Sequence, residues 1–167
     1  MIVFYILGNW NYNMKIVSAF VFLMAALSSK AQCPDSMPLW LLGKWQIQNE
    51  SGLSFEEWTL SNDTLMVGRT YSFYGNDTLE LDRMRIVCSQ GSVVFYMNAS
   101  VNNNNIVVPF FPDKDNNSKV WAFYNPDAAF PHTFRYVYAS ADECFVSFES
   151  NNPLEACTDF KMIRISR

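Results

Sequence analysis

From Gly43 onward the apolar residues fall in short runs separated by Asn, Asp, Gly and Ser, and no window sustains a helical period. The runs are Gly43–Gln48, Phe55–Leu60, Leu65–Tyr74, Leu79–Cys88, Val93–Ala99, Ile106–Phe111, Lys119–Tyr124, Thr133–Ala139, Cys144–Glu149 and Phe160–Ser166. They are rich in β-branched and aromatic residues, with turn signals such as Ser61-Asn62-Asp63, Gly75-Asn76-Asp77 and Gln90-Gly91 between them. About ten strands recurring every 10 to 14 residues or so predict an all-β sandwich or barrel. With no long amphipathic helix between strands, βαβ folds are excluded. A short helical segment over Leu39-Trp40-Leu41-Leu42 is expected ahead of the first strand.

Successive side chains of a strand point to opposite faces. Leu65, Val67, Arg69, Tyr71 and Phe73 therefore share one face, and Met66, Gly68, Thr70 and Ser72 the other. Phe134, Tyr136 and Tyr138 likewise oppose Thr133, Arg135 and Val137. Several strands are apolar on both faces or carry a charge among apolar neighbours. That suits a closed barrel whose lumen holds a ligand or a satisfied polar cluster better than a sandwich, which alternates more cleanly. Between Val120 and Tyr138 two aromatic strands flank a corner built from Asn125-Pro126-Asp127 and Phe130-Pro131. Proline fixes φ and removes a donor, so neither proline fits the middle of a paired strand.

The first 31 residues read as an export signal. Met14-Lys15 opens a basic n-region, Ile16 to Leu27 is apolar apart from Ser18, and Ser29-Lys30-Ala31 supplies small residues at the cleavage site. The apolar run is about a dozen residues, short of the roughly 20 that span a bilayer. Residues 1–13 upstream of Met14 are read as a mis-assigned start. This predicts a signal helix over residues 1–31, one domain over 32–167, a periplasmic or extracellular location, and no membrane span after cleavage. Lipid anchoring through Cys33 is disfavoured, because Gln32 replaces the small residue that lipidation needs at that place. Removing Lys15 and Lys30 from the 12 basic residues leaves 10 against 16 acidic ones, a net charge of −6. That excludes nucleic acid and anionic lipid as partners.

Cys33, Cys88, Cys144 and Cys157 survive cleavage, and an even count in an oxidising compartment suggests disulfides; one structural bridge is the reading, with Cys33 a candidate for tying down the mature N-terminus. Four cysteines allow three complete pairings, and their spacing chooses none. With no C-x-x-C and a single histidine, His132, no metal site and no cofactor are expected. The G-x-S-x-G, P-loop, H-E-x-x-H and dinucleotide motifs are absent too.

Gly43-Lys44-Trp45 is a G-x-W at the head of the first strand. It is followed in order by Phe55-Glu56-Glu57-Trp58, Asn62-Asp63-Thr64-Leu65-Met66-x-Gly68-Arg69, Arg85-Ile86, Phe123-Tyr124-Asn125-Pro126, Phe130-Pro131 and Arg135-x-Tyr136. Over Leu39 to Ile165 this set resembles a bacterial family of lipocalin-like (calycin) domains of unknown function, marked by an E-N-P-x-H-D-F-P segment between two late strands. The resemblance implies an antiparallel up-and-down barrel of about eight to ten strands. It places Gly43 and Trp45 at the barrel floor and assigns no activity. The chain departs from the hallmark, with Tyr124, Ala128 and Ala129 where the family has glutamate, histidine and aspartate.

The reading that follows is a barrel binding a small apolar or amphipathic ligand in its lumen, rather than an enzyme. Candidate ligand-binding residues are Glu57, Trp58, Arg69, Arg85, Asn125, Phe130 and Tyr136, with Arg69 and Arg85 pointing inward. Glu56 and Glu57 are adjacent, so they face opposite ways and cannot act on one atom. The inward member needs a partner, for which Arg69 or Arg85 is the candidate. Arg135 is expected exposed and Tyr136 in the core, while Trp45, Trp58 and Trp121 are expected as core fillers. The alternative is a non-catalytic structural or interaction module of the envelope with a filled barrel and an exposed aromatic patch near Phe110-Phe111. A hydrolase or isomerase using Glu57 or another inward carboxylate is a third reading, and no catalytic residue is assigned.

Overall fold

The computed structural model describes residues 37–49, 52–99, 106–152, 154 and 157–167. The segment read as an export signal and Cys33 fall outside them. Among them a 3-10 turn, Leu39–Leu41, leads into ten strands: β1 (Gly43–Asn49), β2 (Gly52–Asn62), β3 (Leu65–Tyr74), β4 (Asp77–Ser89), β5 (Ser92–Ala99), β6 (Val108–Pro112), β7 (Val120–Tyr124), β8 (Thr133–Ser140), β9 (Glu143–Glu149) and β10 (Thr158–Ser166). Each strand pairs antiparallel with the next, and β10 returns to pair with β1. The meander closes into one up-and-down barrel and leaves no sheet edge. No helix among the described residues is long and apolar enough to cross a membrane.

Closure decides which face of each strand is buried. On β3 it is Met66 and Gly68 that turn inward, while Val67 and Arg69 are exposed. Trp58 on β2 pairs with Gly68, and a Cβ there would lie 2.8 Å from three atoms of the Trp58 ring. The indole occupies the space that any other side chain at 68 would need. Gly68→Ala is expected to cost about 1–3 kcal/mol through overpacking. Urea unfolding checks this: an unchanged midpoint would show that Trp58 yields without cost.

Side chains from all ten strands meet in the interior. The buried set runs from Trp45 and Ile47 on β1 through Trp58, Met66, Ile86, Phe95, Phe110, Phe123, Phe134 and Val146 to Met162 on β10. Ring contacts cross the barrel, with Phe95 5.2 Å from Phe134 and Phe123, and Phe110 4.9 Å from Phe134. Phe148 extends this stack to Phe160 at 5.1 Å, and Ala128 of the β7–β8 turn packs on the same cluster. The core is aromatic and interdigitated, as native density requires.

β6 is shorter than its apolar run suggested, beginning at Val108 rather than Ile106. It pairs three residues with β5 and two with β7. Pro109 and Pro112 cannot donate to a ladder, which limits pairing along this seam. β10 begins at Thr158, two residues before Phe160, where it pairs with Phe148.

Candidate functional site

The floor of the barrel is built around the G-x-W. Gly43 sits at φ +111, and a Cβ there would lie 2.5 Å from the Ser166 carbonyl oxygen, so the position requires glycine. Trp45 is fully buried and donates its Nε1–H to the Leu41 carbonyl at 2.7 Å. Arg164 lies over the indole with its guanidinium carbon 4.0 Å from the ring centroid. It donates to the carbonyls of Leu42, Trp40 and Ala141. One guanidinium thus joins the 3-10 turn, the β8–β9 turn and the core. Alternation gave the signal for Arg164, which shares a face with Phe160 and Met162, but the residue was not singled out from sequence.

Within the lumen, polarity is concentrated at Glu56, which is 4% exposed. Trp58 donates its Nε1–H to Glu56 Oε1 at 2.6 Å. The Tyr136 hydroxyl acts on the same carboxylate to lower its pKa and lies 4.0 Å from Met84 Sδ. Burial pushes the Glu56 carboxyl up to about 7, opposed by those two hydrogen bonds and reinforced by Asp82. Burial likewise raises Asp82 to about 6. The inward glutamate is therefore Glu56, partnered by Trp58 and Tyr136 rather than by an arginine. Cys144, beside this cluster, is raised to about 12 by burial and by Glu56, so its thiol stays protonated and unreactive.

Arg69 and Arg85 do not point inward. They stand on the outer face of the sheet, because closure buries the opposite face of β3 and β4. Two lateral rows cross four strands there. Glu57, Arg69, Arg83 and Asn98 are successive register partners, as are Thr59, Val67, Arg85 and Tyr96. Together they line a cavity of about 660 Å³ on the outside of β2–β5. Arg69 donates Nε and Nη2 to Glu57 Oε2 at 3.0 and 2.7 Å, which holds its own pKa up. Arg83 pairs with Glu80. Arg85 lies over the Tyr96 ring, 5.7 Å from its centroid, and no carboxylate among the described residues pairs with it. Asn98 Oδ1 is buried in the same wall without a hydrogen-bond partner.

The seven candidate ligand-binding residues thus divide. Glu57, Arg69 and Arg85 meet in the outer groove, while Trp58 and Tyr136 are core residues on the inner face. Asn125 and Phe130 lie in the β7–β8 turn, and Asn125 Nδ2 donates to the Pro109 carbonyl at 2.8 Å. That bond ties the corner to β6, and neither residue lines the groove. His132 caps the neighbouring loop, its Nδ1 accepting from the Asn151 backbone N–H. Arg135 pairs with Glu149 at 3.0 Å. Trp45, Trp58 and Trp121 fill the core as their type suggested. Phe110 is buried and only Phe111 is exposed, so that pair forms no aromatic patch. Cys144 and Cys157 are free thiols and Cys88 is not, so neither Cys144 nor Cys157 takes part in the expected bridge. No group of His, Cys, Asp and Glu suited to a metal occurs among the described residues.

Among the described residues these features define a closed all-β antiparallel barrel of ten strands with an aromatic core and a charged lateral groove. No family model and no curated protein matches the chain. Among solved structures, a redesigned beta barrel is similar over 83% of this chain and 100% of that one, at 8% identity and a TM-score of 0.41.

Proposed function

We propose that the protein is an exported, lipocalin-like binding module without catalytic function, which takes a small amphipathic ligand in its lateral groove rather than in its lumen. One observation carries this reading. Glu57, Arg69 and Arg85 line one cavity of ligand size, while side chains from all ten strands occupy the interior. The apolar run before Ser29-Lys30-Ala31 supports export, and the Gly43-Trp45 floor supports kinship with lipocalin-type barrels.

Titration with mixed small amphiphiles, followed by amide chemical shifts, tests the proposal. Shifts are expected to cluster at Val67, Arg85 and Tyr96. Shifts centred on Phe95 and Phe134 would place the ligand inside and sink the groove reading.

A second reading draws on Phe73 and Tyr74, which are 55% and 81% exposed at the end of β3, Phe73 in ring contact with Phe55 and Tyr71 on the outer face. An apolar surface of that kind suits a partner-binding module of the envelope. Protein association lost on Phe73→Ser, with the groove silent to every amphiphile, would favour it.

A further inference from the structure

The groove is nearly balanced in charge. Arg69 is matched by Glu57 and Arg83 by Glu80, which leaves Arg85 as its one cation without a carboxylate among the described residues. A guanidinium held over a tyrosine ring keeps its planar fork of donors, and that fork matches a two-oxygen anion. The neighbouring wall positions Val67 and Val107 are apolar. Asn98 Oδ1, in the adjoining row, is a buried acceptor with no donor. An orphan acceptor is costly, and a ligand donor reached by rotation of this half-buried side chain would relieve it.

Resting on the groove reading above, we infer that the ligand is an amphipathic monocarboxylate. Its carboxylate docks on Arg85, its apolar body lies along Val67 and Val107, and a hydroxyl or amide N–H near the carboxylate donates to Asn98. The balanced pairs in the adjoining row make the site selective for a single negative charge. A second anionic group would meet Glu57 or Glu80, and like charges there disfavour binding.

Amide-shift titrations of the mature chain with octanoate, 3-hydroxyoctanoate, octylamine and the neutral octyl glucoside test the inference. Octanoate is expected to bind at Arg85 and Tyr96, with 3-hydroxyoctanoate several-fold tighter and octylamine excluded. Arg85→Gln should weaken both carboxylates by about tenfold or more while the spectrum of the fold is retained. Asn98→Ala should erase the advantage of the hydroxy acid and leave octanoate unchanged. If all the probes shift the groove alike, or Arg85→Gln changes nothing, the carboxylate assignment fails while the groove stands. If no probe moves any groove residue, the groove reading itself falls and takes this inference with it.

Discussion

Glu56→Gln is expected to make the protein more stable above pH 7 and to flatten most of its pH dependence. In the folded barrel the Glu56 carboxyl is raised from 4.5 to about 7, chiefly by burial. Its stabilising neutral form is therefore fully present below about pH 4.5. As pH rises from 4.5 through 7, the unfolded chain loses this proton before the folded one does, and stability falls. A pKa unit corresponds to about 1.4 kcal/mol, so this one group removes roughly 3 kcal/mol by pH 8. Nothing basic among the described residues relieves it: the groups that act on it are the Trp58 indole, the Tyr136 hydroxyl and the acidic Asp82. Glutamine keeps an acceptor for Trp58 and never ionises, so the variant should gain about 1–3 kcal/mol at pH 8 and little at pH 4.5. Asp82, raised to about 6, has the same sign and should leave a residual slope below pH 6 in the variant. Urea midpoints measured from pH 4 to 9 decide the matter. Parallel profiles for the two proteins would mean that Glu56 is already solvated or paired.

Glu56 also marks where the sequence stops being legible. The barrel itself could be read from the chain, because ten short β-rich runs with turn residues between them leave few other architectures. Faces could be read as well, since alternation puts Glu56 with Trp58, Met66 with Gly68, and Phe160 with Met162 and Arg164. Which face is inside could not. On β2 each face carries one glutamate and at least one aromatic, Phe55 outside and Trp58 inside, so local hydrophobicity is a tie. The tie is broken across the ladder, where Trp58 finds Gly68 opposite and fills the space its missing side chain leaves. Arg69 and Arg85 then follow their strands outward, and the expected lumenal arginines become a surface groove. Phe55 remains nearly buried on the outside because Tyr71 and Phe73 shield it and the Lys44 ammonium lies 5.0 Å from its ring centroid. Burial on the outer face of a barrel is a tertiary outcome that periodicity along one strand does not carry.

Arg164→Ala should be among the most destabilising single changes in this protein, costing about 3–5 kcal/mol. The side chain is 7% exposed, so its charge is already desolvated in the fold. What compensates it is the face of Trp45, three backbone carbonyls at Leu42, Trp40 and Ala141, and the Asp142 carboxylate at 3.9 Å. Deleting the guanidinium removes the cation–π contact and leaves three acceptors without their donor, each worth about 1–3 kcal/mol if water does not reach it. It also opens space beside Trp45, whose own bond to Leu41 fixes the 3-10 turn. Lysine supplies the charge but not the fork, so one ammonium cannot bridge the 3-10 turn and the β8–β9 turn together. Arg164→Lys should therefore lose about half as much as alanine. The losses should appear as a lower urea midpoint with an unchanged slope, because the same surface is exposed on unfolding. Near-ultraviolet circular dichroism should weaken in step as the indole loses its fixed environment. A cost below about 1 kcal/mol for alanine, or lysine matching arginine, would show that the floor is held by packing alone and that the guanidinium merely covers it.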